Sequence, residues 1–142
     1  MLEELKLKDH SSTVLRSIYV WFLRIMAVFS MVAGLTYWSQ LVGIANEGTL
    51  RFDLVAQNWR VLSSLLAVIL PAAALGLWLN QAWGVLLWVV AALMEIAAYG
   101  IWSDVYVAKP AVVIVHAVSL TFLAVVLFVL FLQRRKHHTS LF

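Results

Sequence analysis

Four long apolar stretches fill most of this chain, and only three ionisable side chains fall deep inside them: Arg24, Glu95 and His116. An apolar stretch of about 20 residues is what a helix needs to cross roughly 30 Å of hydrocarbon. The stretches occupy residues 15–38, 61–79, 82–102 and 110–132. With no water to satisfy backbone groups in lipid, such segments must be helical. The predicted fold is therefore all-α, an antiparallel bundle of four transmembrane helices. Residues 39–60 form an outer loop, with an N-terminal tail at 1–14 and a basic C-terminal tail at 133–142.

Composition narrows the chemistry. Hydrophobic residues make up 64% of the chain and charged residues 12%. A soluble domain of this size leaves too much surface exposed to hide that excess, so lipid must cover it. Cysteine is absent, which removes thiolate metal sites, iron–sulfur clusters and dithiol redox chemistry. The net charge of +3 comes mostly from the termini. It reads as membrane orientation and not as a nucleic-acid surface.

The punctuation agrees with four spans. Asn80-Gln81 is the only polar break between the second and third stretches, which predicts a tight hairpin. Pro110 stands in a first turn, where proline is tolerated, and Pro71 lies inside the second helix, where it should kink it. Ser30 with Gly34, and Ala72 with Gly76, offer small surfaces for close helix approach. Trp38, Trp59 and Trp102 mark one interface, and Trp78 and Trp83 the other. The termini carry Lys6, Lys8, Arg16, Arg134, Arg135 and Lys136, against Arg51, Arg60 and Lys109 in the opposite loops. The excess places both termini in the cytoplasm. The Arg134-Arg135-Lys136-His137-His138 run is expected to anchor the chain at anionic headgroups.

The outer loop has its own pattern. Asn46-Glu47-Gly48 signals a turn. Leu50, Phe52 and Leu54 then alternate with Arg51 and Asp53, as in a strand with one apolar face. This predicts either a small hairpin or an interfacial helix that caps the bundle, with Arg51, Asp53 and Arg60 as candidate contacts for a partner.

Depth brings the three deep ionisable groups into relation. At about 1.5 Å per residue, Glu95 lies about 20 Å from the cytoplasmic edge and His116 about 9 Å from the outer edge. In a 30 Å slab those are nearly one level. Arg24 sits about 10 Å or more inside the cytoplasmic edge; it either bridges to Glu95 or snorkels to the surface. Tyr99, one turn above Glu95, and Ser119, one turn after His116, complete the predicted cluster of Arg24, Glu95, Tyr99, His116 and Ser119. A lone charge at mid-bilayer costs at least about 2.5–3.5 kcal/mol, so these groups are expected to meet inside the bundle or inside an interface. They read either as a polar clasp between helices or as a proton- or ligand-handling site.

Other chemistries lack residues. Two-histidine haem ligation would need a second chain, because His10, His137 and His138 lie at the termini. No catalytic motif stands out. No cofactor and no metal are implied. The expected partners are membrane lipids and a larger membrane complex or copies of the same chain.

The runs Phe22-Leu23-Arg24-Ile25-Met26-Ala27, Gly34, Tyr37-Trp38 and Arg51-Phe52-Asp53-Leu54 form one part of a further pattern. Pro71 with Gly76-Leu77-Trp78, Trp83-Gly84, and Glu95 with Tyr99-Gly100 complete it. Together they resemble a family of small four-helix inner-membrane proteins from rhizobia-like alphaproteobacteria, catalogued as a domain of unknown function. The resemblance runs roughly from Val20 to His116. It implies a bacterial inner-membrane location and four spans, and it brings no activity with it. The Arg in the first helix ahead of a glycine-containing apolar run is also similar to DoxX-like membrane proteins. No redox role is carried over, since the chain has no cysteine.

Overall fold

A computed structural model of the chain describes residues 2–139. Four helices run in order: α1, Leu2–Val42; α2, Gln57–Trp78; α3, Ala82–Ile96; and α4, Pro110–Thr139. A π-helical turn, Ala97–Ile101, continues α3 without a break. The segments His10–Val42, Gln57–Trp78, Ala82–Ile101 and Pro110–Arg135 are each long and apolar enough to span a membrane. No strand occurs among the described residues. Several boundaries differ from the sequence reading: α1 runs on to Val42 and α2 begins at Gln57, which shortens the outer loop. The N-terminal tail is helical from Leu2, and the C-terminal tail continues α4 as far as Thr139. The side chains of Lys6, Lys8 and Lys136-His137-His138 lie outside the described residues.

Pro71 shows how α1 and α2 recognise each other. A proline has no N–H, so the carbonyl four residues earlier loses its helical partner. That carbonyl belongs to Ala67, and the Trp38 indole Nε1–H donates to it at 2.8 Å. One turn before Trp38, Gly34 lies against the proline ring. A Cβ there would fall 2.6 Å from Cδ of Pro71. Gly34 and Trp38 of α1 thus take up both consequences of Pro71, its bulk and its orphaned acceptor. α2 remains one assigned helix through the proline.

The α2–α3 hairpin is closer still. Asn80 takes a left-handed φ of 58°. Asn80 N–H donates to Leu77 O at 3.0 Å and Gln81 N–H to Gly76 O at 2.8 Å, the two bonds of a Schellman closure. Immediately beyond this turn Gly76 meets Gly84. A Cβ on Gly84 would lie 2.2 Å from the Gly76 carbonyl carbon. The predicted Ala72–Gly76 surface therefore finds its partner backbone in α3.

The outer loop is neither a hairpin nor an interfacial helix. It is a 3-10 turn, Asn46–Gly48, succeeded by further turns in which Arg51 N–H donates to Gly48 O and Leu54 N–H to Arg51 O. Phe52 N–H folds back to Leu41 O at 3.1 Å. The alternating pattern fails because these donors find acceptors in the loop itself and in α1. Phe52 and Leu54 stay exposed.

The interior falls into two clusters. Leu23, Met26, Ala27, Ala73, Leu77, Trp88 and Leu123 fill the half nearer the termini. Tyr37, Leu62, Leu66, Ala67, Leu70, Ala91, Ala98 and Tyr99 fill the half nearer the long loop. α2 is the central helix, with 50% of its apolar span buried, whereas α4 is peripheral with 17%.

Candidate functional site

The loop-side half holds a continuous line of side-chain hydrogen bonds. Tyr37 from α1 donates its phenol O–H to Glu95 Oε1 of α3 at 2.7 Å. Tyr37 and Tyr99 hydroxyls lie 2.6 Å apart. Since the Tyr37 proton goes to Glu95, its oxygen accepts from Tyr99. The other carboxylate oxygen, Oε2, lies 2.6 Å from His116 Nε2 of α4. The sequence Tyr99–Tyr37–Glu95–His116 therefore ties α1, the π turn, α3 and α4 together. Glu95 is 5% exposed and Tyr99 2%, so the line is closed off from lipid through most of its length.

Local structure explains the aim of each group. Glu95 lies in the last turn of α3, and Tyr99, four residues on, lies in the π turn that continues it. The π turn opens directly after Glu95 and contains Tyr99. Trp102 N–H bonds Ala97 O at 2.9 Å, the five-residue step that defines such a turn. A π turn of this kind rotates the residues beyond it about the helix axis, and such turns recur at functional sites. At the loop end, Lys109 Nζ stands 4.7 Å from the centre of the Tyr99 ring and 6.0 Å from that of Trp59. Trp59 also packs against Tyr99 and Tyr106.

The structure separates the predicted cluster. Glu95 and His116 meet directly, and Tyr99 reaches Glu95 only through Tyr37. Arg24 does not join them. It is exposed, with its guanidinium 5.6 Å from the Trp78 ring and 5.8 Å from the Trp21 ring. Positions 24 and 37 are 13 residues apart on α1, about 20 Å of helix, which no arginine spans. The bridge to Glu95 is not made; the guanidinium rests instead against the two tryptophan rings. Ser119 does not join either; it donates to Val115 O at 2.7 Å, one turn back on its own helix.

Tyr37 is the site residue that sequence reasoning missed. It appeared only as part of the Tyr37-Trp38 resemblance. The signal was its phenol near the loop end of α1, a polar tip long enough to reach down to the level of Glu95.

The outer-loop candidates form a separate group. Arg51 Nε donates to Asp53 Oδ1 at 2.6 Å, and Arg51 NH2 to Oδ2, a forked pair on the surface. The Arg51 hydrogen bond is the main reason that the Asp53 carboxyl titrates low, at about 2. Arg60 lies 4.9 Å over the Phe52 ring and donates weakly to Val55 O. None of these three reaches the buried line.

The Tyr37, Glu95 and His116 side chains form one hydrogen-bonded line inside the bundle. Among the described residues no three His, Asp or Glu side chains gather as a metal site would require. The fold and its interior define a class: a four-helix membrane bundle crossed by one buried carboxylate–imidazole pair. Within that class, the chain belongs to a family of unknown function, DUF6163, which matches residues 17–134. No curated protein and no solved structure matches the chain.

Proposed function

We propose that this protein is a non-catalytic subunit of the bacterial inner membrane, with both termini cytoplasmic, that serves as an accessory or assembly component of a larger complex or as a scaffold built from its own copies. The observation that carries this reading is the way α4 is held. Only 17% of its apolar span is buried, yet its loop-side end is fixed to the core by the His116–Glu95 contact. Val118, Phe122, Val125, Phe128 and Leu132 remain exposed along it. A helix held at the edge of the bundle by the His116 contact and by the buried Leu123 and Val126, with the rest of its bulky side chains turned outward, suits a partner helix packed alongside. Interhelical polar contacts in membranes are worth about 0.6–2 kcal/mol each, enough to set register without consuming the outer face.

The test is native mass spectrometry of the particle purified in mild detergent from its own membranes. A hetero-complex or closed homo-oligomer of fixed stoichiometry is expected. A monomer that stays monomeric across detergents would overturn the proposal.

A second reading, proton-coupled transport with Glu95 as carrier, draws on the continuous Tyr99–Tyr37–Glu95–His116 line. Against it stands the apolar cluster around Leu23, Leu77 and Trp88, which offers no side-chain carboxylate or imidazole between Glu95 and the terminal side. Proton flux in liposomes that vanishes in Glu95→Gln would favour this reading over the first.

A further inference from the structure

A cavity of about 310 Å³ opens beside the clasp, between α1 and α4. Met26, Phe29 and Ala33 of α1 and Val112 and Val115 of α4 form its sides, with Leu70 and Trp88 behind them. Phe29 and Val115 are 63% and 54% exposed, so they stand at the mouth. Their neighbours Val32, Ile114 and Val118 are exposed as well, and all are apolar. Hydrocarbon therefore lies outside the mouth, and whatever occupies the cavity arrives dissolved in the bilayer.

The wall is not uniformly apolar. Ser30, Glu95 and His116 also line the cavity. Ser30 is 3% exposed. Thr36, Ser119 and Thr121 each donate to the carbonyl one turn back on their helix. The Ser30 hydroxyl has no such partner among the described residues. His116 Nδ1 is likewise buried without a partner. An unpaired hydroxyl in a lipid-facing recess, with an enclosed unpaired imidazole nitrogen in its wall, is costly because no water replaces the missing partners.

We propose that this recess binds a neutral membrane amphiphile, whose compact oxygen-bearing head sits against Ser30 and the Glu95–His116 pair while its apolar tail leaves between Phe29 and Val115. The volume holds roughly ten groups of water size, at about 30 Å³ each. That is a head of one ring or one glycerol unit, not a whole lipid. A hydroxyl suits the wall because it can either donate to or accept from the Ser30 hydroxyl, which also does both. An anionic head does not suit it, since the described lining carries a carboxylate and no lysine or arginine, and a cationic head would find both Glu95 oxygens already engaged by Tyr37 and His116.

The experiment uses the full-length protein in a nonionic detergent and reads thermal unfolding at rising probe concentration. The probes are dioctanoylglycerol, a decyl-substituted benzoquinol, and tetradecane as a tail without a head. At least one oxygen-headed probe should raise the melting temperature in a saturable way while tetradecane does not, and which of the two acts separates a glycerolipid from a quinol source. Val115→Trp blocks the mouth at an exposed position and should abolish the shift, leaving the unliganded melting temperature within a few degrees of wild type. Ser30→Ala should weaken the shift at least five-fold in probe concentration. No shift with either headed probe, an equal shift with tetradecane, or a shift that survives Val115→Trp would overturn the proposal. Should Val115→Trp fail to fold, Ala111→Leu at the same wall is the variant that decides.

Discussion

Toward the chain termini, Leu23, Leu77, Trp88 and Leu123 pack with almost no exposed surface. Toward the long loop, Tyr37, Tyr99, Glu95 and His116 are similarly enclosed but meet through hydrogen bonds. The two halves face the same solvent and solve different problems. In lipid, apolar side chains gain little by leaving hydrocarbon for another apolar surface, so the terminal half depends on shape. The glycine contact between Gly76 and Gly84 and the seat of Pro71 on Gly34 belong to this logic of fit. The loop half depends on direction instead, since each polar group there needs a partner at a stated angle and distance. The difference separates what holds helices close from what tells them which neighbour is correct.

The contrast breaks most sharply at the glycine contact. Gly84→Val places new atoms against backbone that has no rotamer to yield. Overpacking usually costs about 1–3 kcal/mol, and this case should reach or exceed the upper end. Thermal unfolding in detergent is the measurement; a variant that melts like wild type would show that the hairpin is looser than described. Trp88→Ala comes next. Aromatic truncation in aqueous cores costs about 3–5 kcal/mol, and here lipid in place of water trims that toward the lower bound. A loss below about 1 kcal/mol would mean that the terminal half does not rest on packing.

The polar half should yield smaller and more structured losses. Tyr37→Phe removes a hydroxyl that serves two partners, so about 1–2 kcal/mol is expected, against roughly half that for Tyr99→Phe. A double-mutant cycle between the two should show coupling, since they share one hydrogen bond. Arg24→Gln sharpens the contrast from outside the line. It should cost under about 1 kcal/mol, the value of an exposed cation–aromatic contact. Combined with Glu95→Gln it should be additive within about 0.5 kcal/mol. Coupling beyond that would put Arg24 back into the site.

The smallest effect belongs to the loop. Asp53 titrates at about 2 in the folded protein, below the roughly 3.9 of an unfolded chain. Its pairing with Arg51 is therefore fully present above about pH 4 and fades as the pH falls toward 2. Amide protection of residues 51–55, measured relative to the intrinsic exchange rate at each pH, should fall across that interval, and Asp53→Asn should remove that loss.

The pairing of halves also shows what could be read in advance. Four spans came from apolar run length, since lipid forces each run into a helix. The common depth of Glu95 and His116 came from counting helical rise. The place of Arg24 did not. Depth alone allowed both a bridge and a snorkel, and its 13-residue separation from Tyr37 mattered only once Tyr37 was known to be Glu95's partner. Tyr37 escaped because a tyrosine near an interface reads as part of an aromatic belt. Its partner on another helix is fixed by helix rotation, which run length does not encode.

The loop failed for a related reason. Alternation in Leu50, Phe52 and Leu54 requires a neighbouring strand, and none exists among the described residues. The turns at Asn46–Gly48 and Asn80, by contrast, were visible as local signals, because a turn is satisfied by its own few residues.

The sequence by itself thus determined the helices, their number, their hairpin turn and the shared level of Glu95 and His116, because these depend on local backbone satisfaction and the rise of the helix. Only the tertiary structure decided which groups touch: Trp38 on the carbonyl that Pro71 leaves free, Tyr37 between Tyr99 and Glu95, and Ser30 in a recess open to lipid. Those contacts depend on how each helix is rotated about its axis, and that rotation is set by close packing between surfaces far apart in the chain.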